Sequence, residues 1–345
     1  MNNPFERIDD ADEESRQIEE VAKLMRQLLD KRHKKFGTLV RGVHPKSHGC
    51  LKAKFDIFND IDQSLQIGLF SNPGASYESI VRYSNADSLV RKDLRGGENG
   101  SRGMAVKITG VPGDTFYTDG CQGEQDFLMI NTSQFAFANI PDYLRLQQVL
   151  LHNNDEPAAF FAPLQMAPPT DPAGVAMIER LKRSFGVLGM IKEKAVANPL
   201  EIAYFGAAPF LFGDNRVMRV SVVPQVAPEQ VVPADAGDNY LREAVKERIS
   251  KIEDIVFDFK IQVRNAGEDD LYIEDATQSW SFEAHPPKTV ARLTIPCPQS
   301  EPLDCEKEFF TPWHALKAHQ PIGGINRLRR AAYIASAKHR GAKGH

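Results

Sequence analysis

Tyr333 follows Arg329 by four residues, and Arg340 lies seven further on. On a helix turning roughly 100° per residue, Tyr333 and Arg340 fall at roughly 40° and 20° from Arg329. The three side chains therefore share one narrow face. An arginine one turn from a tyrosine favours the phenolate, because a nearby cation stabilises the charged form. A phenolate can ligate ferric iron, and tyrosine is among the axial ligands of haem. A basic helix with a packed tyrosine would show the same spacing, so this segment alone does not decide the matter.

His44 is the leading candidate for proton transfer. Histidine titrates near neutral pH, so it can take a proton from one atom and return it to another. It stands in Arg41-Gly42-Val43-His44, just ahead of an alternating segment. A zinc site on His44 and His48 fails on geometry, because Pro45 disfavours helix at His44 and the His-Glu pair of the metalloproteases is missing. The glycine-rich residues 97–103 lack the Lys-Ser/Thr of a phosphate loop and read as a turn.

Val40-Arg41-Gly42-Val43-His44, Val81-Arg82-Tyr83-Ser84, Ser101-Arg102-Gly103-Met104-Ala105-Val106-Lys107 and Arg329-x3-Tyr333-x6-Arg340 occur in that order. Together they resemble the haem catalases, over most of the chain from Val40 to Arg340. At 345 residues the chain lacks the extensions of full-size catalases. It is similar to the short catalase-related haem proteins, a group that includes allene oxide synthases, epoxyalcohol synthases and small peroxidases. The resemblance implies haem b, with its ferric iron ligated by Tyr333 and Arg329 beside that ligand. It further implies His44 as the distal acid–base, Ser84 as the partner of its imidazole, and Arg41, Arg82 and Arg340 on the haem propionates. Phe135 and Phe137 would pack against the porphyrin; plain core packing is the alternative for each.

The chain departs from the family at the distal amide. The Asn-Asn-Thr-Pro that precedes a hydrophobic strand in catalases aligns with Gly123-Glu124-Gln125-Asp126. Gln125 would replace the amide with a longer arm, Glu124 would add a carboxylate, and Asn131 is the alternative in a shifted register. The loss of the asparagine moves the expected substrate from hydrogen peroxide to organic hydroperoxides, fatty acid hydroperoxides above all. The apolar runs 157–168 and 204–212 read either as core or lid packing or as an entrance channel for a lipid tail. A compact catalase acting on hydrogen peroxide and a non-catalytic haem- or lipid-binding barrel are the competing readings.

Positioning these residues requires elements that the pattern supplies. Residues 12–36 repeat apolar side chains at helical spacing. Alternation at 51–57, 104–108, 216–222, 255–261 and 289–295 predicts strands, with turns at 71–74 and 96–100. Helices are expected at 141–152, 175–197, 239–251 and 325–340. About eight strands without regular intervening helices argue for an antiparallel sheet or closed barrel. The fold class is α+β, and the resemblance implies a catalase-like eight-stranded antiparallel barrel with peripheral helices. One domain is expected over 1–345, with an N-terminal helical arm at 1–36 and the proximal haem helix at 325–340. Residues 234–238 are a weaker candidate boundary.

Composition bounds the rest. A net charge of −4 and a pI of about 6.2 leave no basic surface broad enough for nucleic acid. The basic stretch from Arg327 onward has a simpler use in meeting haem carboxylates. The acidic N-terminus carries no secretory signal, and no apolar run is long enough for stable membrane insertion. Four cysteines without CxxC spacing read as reduced thiols in a cytoplasmic protein. A homo-oligomer is compatible with all of this.

Overall fold

Strands β1 (Ser47–Ile57), β2 (Ser76–Asn85), β3 (Arg102–Ile108), β4 (Gln125–Ile130), β5 (Tyr204–Phe205), β6 (Phe210–Leu211), β7 (Arg216–Pro224), β8 (Ile255–Asn265) and β9 (Lys288–Ile295) form one antiparallel sheet in the computed structural model. The structure describes residues 5–94, 98–117, 123–227, 231–265 and 271–342. The two-residue β5 closes the ring, because Phe205 pairs with Ile130 of β4 and with Ser221 of β7. Eight strands thus make a closed barrel, with β6 attached to β7 outside the ring.

Period-two alternation sends one set of side chains inward. Phe55, Phe127, Phe257 and Phe259 are fully buried there among Val81, Val106, Val220 and Leu293. The Phe259 ring lies 5.0 Å from Phe55 and 5.1 Å from Phe127, edge-on or tilted. Each such burial contributes about 1.5–3 kcal/mol. An eight-stranded barrel filled in this way has no lumen for a ligand, so any site must lie on its outer surface.

Helices α1 (Ala11–Phe36), α2 (Ile140–His152), α3 (Pro172–Glu193), α4 (Tyr240–Ile249), α5 (Leu271–Glu274) and α6 (Gly324–His339) surround the barrel. The Asp10 carboxylate caps α1 by accepting from Asp12 N and Glu13 N, and Gly37 ends it in the left-handed region at φ 71°. Val21, Met25 and Leu29 of α1 pack on Ile140 of α2 and on Ile325, Leu328 and Ala332 of α6. Arg327 clamps this layer, reaching Glu6 and Glu14 at 2.5 Å and Glu274 at 3.1 Å. Arg330 lies 4.8 Å over the Trp313 ring. Part of the basic C-terminal stretch is therefore spent on architecture.

Several expectations need correction. The helix expected at 175–197 begins at Pro172, because Asp171 accepts from Gly174 N and proline suits the first helical position. It stops at Glu193. Within the apolar run 204–212, Tyr204 and Phe205 are the residues that close the barrel. Residues 234–238 connect β7 and β8, which pair along their length, so they do not divide the chain. Cys50 and Cys305 are joined, with Cα atoms 6.1 Å apart, and are not reduced thiols. That bond removes the thiol argument for a cytoplasmic location. Cys297 is free, and Cys121 lies outside the described residues, as do residues 96 and 97 of one expected turn. No described helix is long and apolar enough to cross a membrane.

The disulfide spans 255 residues of chain and so constrains the unfolded state strongly. Cys305→Ser is expected to lower unfolding free energy by about 2–4 kcal/mol, read from denaturant midpoints under non-reducing conditions. An unchanged midpoint would show that the bond holds nothing the fold does not already hold.

Candidate active site

A cavity of about 1080 Å³ lies on the outer face of the barrel, between β2–β3–β4 and the layer of α1, α2 and α6. It exceeds the roughly 300–1,000 Å³ of an ordinary small-molecule pocket. Nine of the residues singled out from the sequence line it: Arg41, His44, Arg82, Ser84, Phe135, Phe137, Arg329, Tyr333 and Arg340.

The barrel wall of the cavity follows from strand register. Ser84, Gly103 and Ile130 sit side by side on β2, β3 and β4, and Arg82, Ala105 and Leu128 form the next row on the same face. His44 stands in front of Ser84, its Nδ1 3.0 Å from Ser84 Oγ. Its backbone is left-handed, with φ 57°, and is held at both ends. His44 N donates to Asp87 O at 2.9 Å, and Arg82 Nη2 donates to His44 O at 3.0 Å. Gly103 makes room for the ring, since a Cβ there would lie 2.3 Å from His44 Nδ1 and 2.9 Å from Ser84 Oγ. Burial first, then the charges of Arg82, Arg329 and Arg41, push the imidazole down to about 3. His44 is therefore neutral at ordinary pH.

Helix α6 supplies another wall. Arg329 donates through Nη1 to Asn326 Oδ1 at 3.1 Å, and its Nη2 lies 3.5 Å from the Tyr333 hydroxyl. One turn further, Ser336 Oγ accepts from Gly42 N at 2.9 Å and fixes α6 against the segment that carries His44. No local pattern points to that tie, nor to Tyr143, Phe309 and Phe310, which also line the cavity.

Arg41, Arg82 and Arg340 meet near one half-exposed carboxylate, Glu306. Arg41 Nε lies 3.4 Å and Arg82 Nη2 3.2 Å from its oxygens. Backbone carbonyls take the other donors: Arg41 reaches Cys305 O at 2.7 Å and Glu308 O at 3.0 Å, and Arg340 reaches Glu306 O at 3.2 Å and Glu308 O at 2.9 Å. Burial, reinforced by the neighbouring arginines, lowers Arg41 to about 9 and Arg340 to about 10, and burial lowers Arg82 as well. Two buried cations and a third partly buried one facing one carboxylate leave positive charge that a dianionic ligand would neutralise. A tyrosine paired with an arginine, this cationic wall and the size of the cavity fit haem.

Glu124 and Gln125 do not belong to the site. The Lys107–Asp126 row lies four residues along the sheet from Gly103 and Ile130, or about 13 Å. Glu124 is beyond it, bonded to Lys107 and 3.2 Å from His314 Nδ1. Gln125 has the opposite parity; its Oε1 accepts from Leu316 N at 3.0 Å. Asn131, the alternative, accepts from Arg102 N at 2.9 Å and is outside the cavity lining. Ala105, Leu128 and Phe310 form the wall beyond Ser84 where an amide was sought.

Among solved structures, the chain is similar to a fungal catalase, with a TM-score of 0.69 at 14% identity, over 90% of its length. Catalase A from Saccharomyces cerevisiae gives 0.68 at 15% over 91%, and a bacterial catalase 0.64 at 16% over 91%. The fold is that of the catalases. The chain spans 61, 64 and 60% of those three catalase chains respectively. No family model and no curated protein matches it. This likeness agrees, at the level of the fold, with the resemblance read from the sequence.

Two outcomes follow for the His44 setting. Gly103→Ala is expected to displace the ring and abolish most His44-dependent turnover, while secondary structure by circular dichroism stays intact. Normal turnover would remove the positioning role of Gly103. Acid stability carries a second signature. His44, His48 and His319 are held by burial at about 3, 4 and 4, below the ordinary 6.5. Above pH 6.5 neither state binds these protons; below it only the unfolded state does, until the folded values are reached. Stability should thus fall from pH 6.5 towards 4, by at most about 1.4 kcal/mol per pH unit for each histidine. His44→Gln should flatten that slope in denaturant titrations.

Proposed function

We propose that this chain is a haem enzyme that cleaves the O–O bond of organic hydroperoxides, those of unsaturated fatty acids foremost. Tyr333 would ligate the iron, with Arg329 as its cationic partner, and Arg41, Arg82 and Arg340 would hold the carboxylates of haem b. Ferric haem, when bound, supplies the redox chemistry that breaks the O–O bond. His44 handles the proton. With Nδ1–H donating to Ser84 Oγ, Nε2 is the basic nitrogen, able to take the hydroperoxide proton and return it to the leaving oxygen.

The observation that carries the substrate class is the apolar course of the cavity. From Phe135 and Phe137 the lining continues to Phe161, Leu188 and Phe185. Edge-on ring contacts of 5.4, 5.0 and 5.5 Å link Phe137, Phe160, Phe161 and Phe185 in turn, and Phe185 is 59% exposed. An acyl chain lying along this wall gains about 0.8 kcal/mol per buried methylene, whereas hydrogen peroxide gains nothing. Tail binding can also offset the loss of an orienting amide beside His44. The likeness to catalases supports a second reading, a compact enzyme acting on hydrogen peroxide.

The test is a steady-state comparison of hydrogen peroxide, tert-butyl hydroperoxide and a fatty acid hydroperoxide on one haem-replete preparation. The expected order places kcat/KM for the fatty acid hydroperoxide highest. Vigorous oxygen evolution from hydrogen peroxide, with the lipid hydroperoxide untouched, would replace this proposal with the second reading.

A further inference from the structure

Glu306 has no role in the chemistry above, yet its carboxylate is the one that pairs with two of the cavity's arginines. It sits on the segment from Cys305 to Glu308, whose carbonyls receive Arg41 and Arg340. The disulfide from Cys305 to Cys50 of β1 anchors that segment directly beside Glu306. The side chain is 45% exposed, whereas those of Arg41 and Arg82 are 9% and 4% exposed. Arg41 and Arg340 are thus fixed by backbone oxygens on a tethered segment and Arg82 by the His44 carbonyl, and the carboxylate is the loosely held member of the group.

We propose that Glu306 limits how tightly the protein holds haem, by competing with the haem carboxylates for Arg41 and Arg82. The inference rests on the haem reading of the cavity. Each guanidinium has five N–H donors, and those left after the backbone contacts are shared between Glu306 and any carboxylate that enters the cavity. Glu306 also lowers the net charge of the wall and repels an incoming dianion. Removing its charge while keeping its shape should tighten binding, the reverse of what loss of an ordering residue would do.

The experiment titrates the apoprotein and its Glu306→Gln variant with haemin, following the Soret band, and times haem transfer to apomyoglobin. The iron porphyrin dimethyl ester, which has no free carboxylates, is run in parallel. The variant is expected to bind haemin about three- to ten-fold tighter and release it correspondingly more slowly, with the ester unaffected. Unchanged or weaker haemin binding by the variant would overturn the proposal. An equal gain with the ester would overturn it too, since carboxylate competition could not be the cause. Failure of the unaltered protein to bind either porphyrin would instead sink the haem reading itself.

Discussion

Arg41 and Arg82, buried, and Arg340, partly buried, surround a shared space with too little negative charge among them. Isolated buried charges are costly unless paired and hydrogen-bonded. Here five backbone contacts from residues 305–308 and one half-exposed carboxylate meet that demand only in part. The surrounding construction reads as the means of holding them there. Cys50–Cys305 secures the segment that supplies the carbonyls, Ser336 secures α6 to Gly42 next to Arg41, and β2 carries Arg82 in a register fixed along its whole length. A fold that tolerates such a deficit has a use for an anion at that place.

The barrel contributes by being full. Because its interior is packed with phenylalanine and branched side chains, the functional surface is displaced to the outward parity of β2, β3 and β4. On that parity a step of two residues decides everything. Ser84 and Gly103 face His44; Arg82, Ala105 and Leu128 come next; Lys107 and Asp126 are already outside the cavity. Phe310 lies between the two regions, its ring 5.8 Å from the Arg41 guanidinium and 5.5 Å from Lys107 Nζ. An apolar wall therefore separates the space in front of His44 from Glu124 and Asp126.

Features carried by local spacing were legible in the sequence, and those carried by long-range meetings were not. Arg329, Tyr333 and Arg340 share a helical face because the 3.6-residue period puts them there. Five of the seven longer strands, β1, β3, β7, β8 and β9, follow the alternation read from the sequence, and the resemblance to catalases implied closure into a barrel. Glu306 meets Arg82 across 224 residues, and Cys305 meets Cys50 across 255; no local pattern encodes either. Glu124 and Gln125 were misplaced because motif alignment placed the amide at the start of β4 without its register. Pairing with β3 puts Asp126 opposite Lys107, well past the His44 row. The closure by Tyr204 and Phe205 escaped notice because two residues carry no alternation to read.

The same arginines that need an anion also set the state of His44. Burial is the larger reason its imidazole stays neutral, and the charges of Arg82, Arg329 and Arg41 add to it. Carboxylates brought into the wall would cancel part of the charge contribution and leave the burial contribution in place. Any anion taken up there would make His44 more basic, through the field alone and with no movement of the ring. Because Arg82 both donates to the His44 carbonyl and pairs with Glu306, one guanidinium joins the cationic wall to His44. Uptake of an anion at the wall and basicity at His44 are on this account two readings of a single charge balance, in which extra positive charge favours the first and lowers the second.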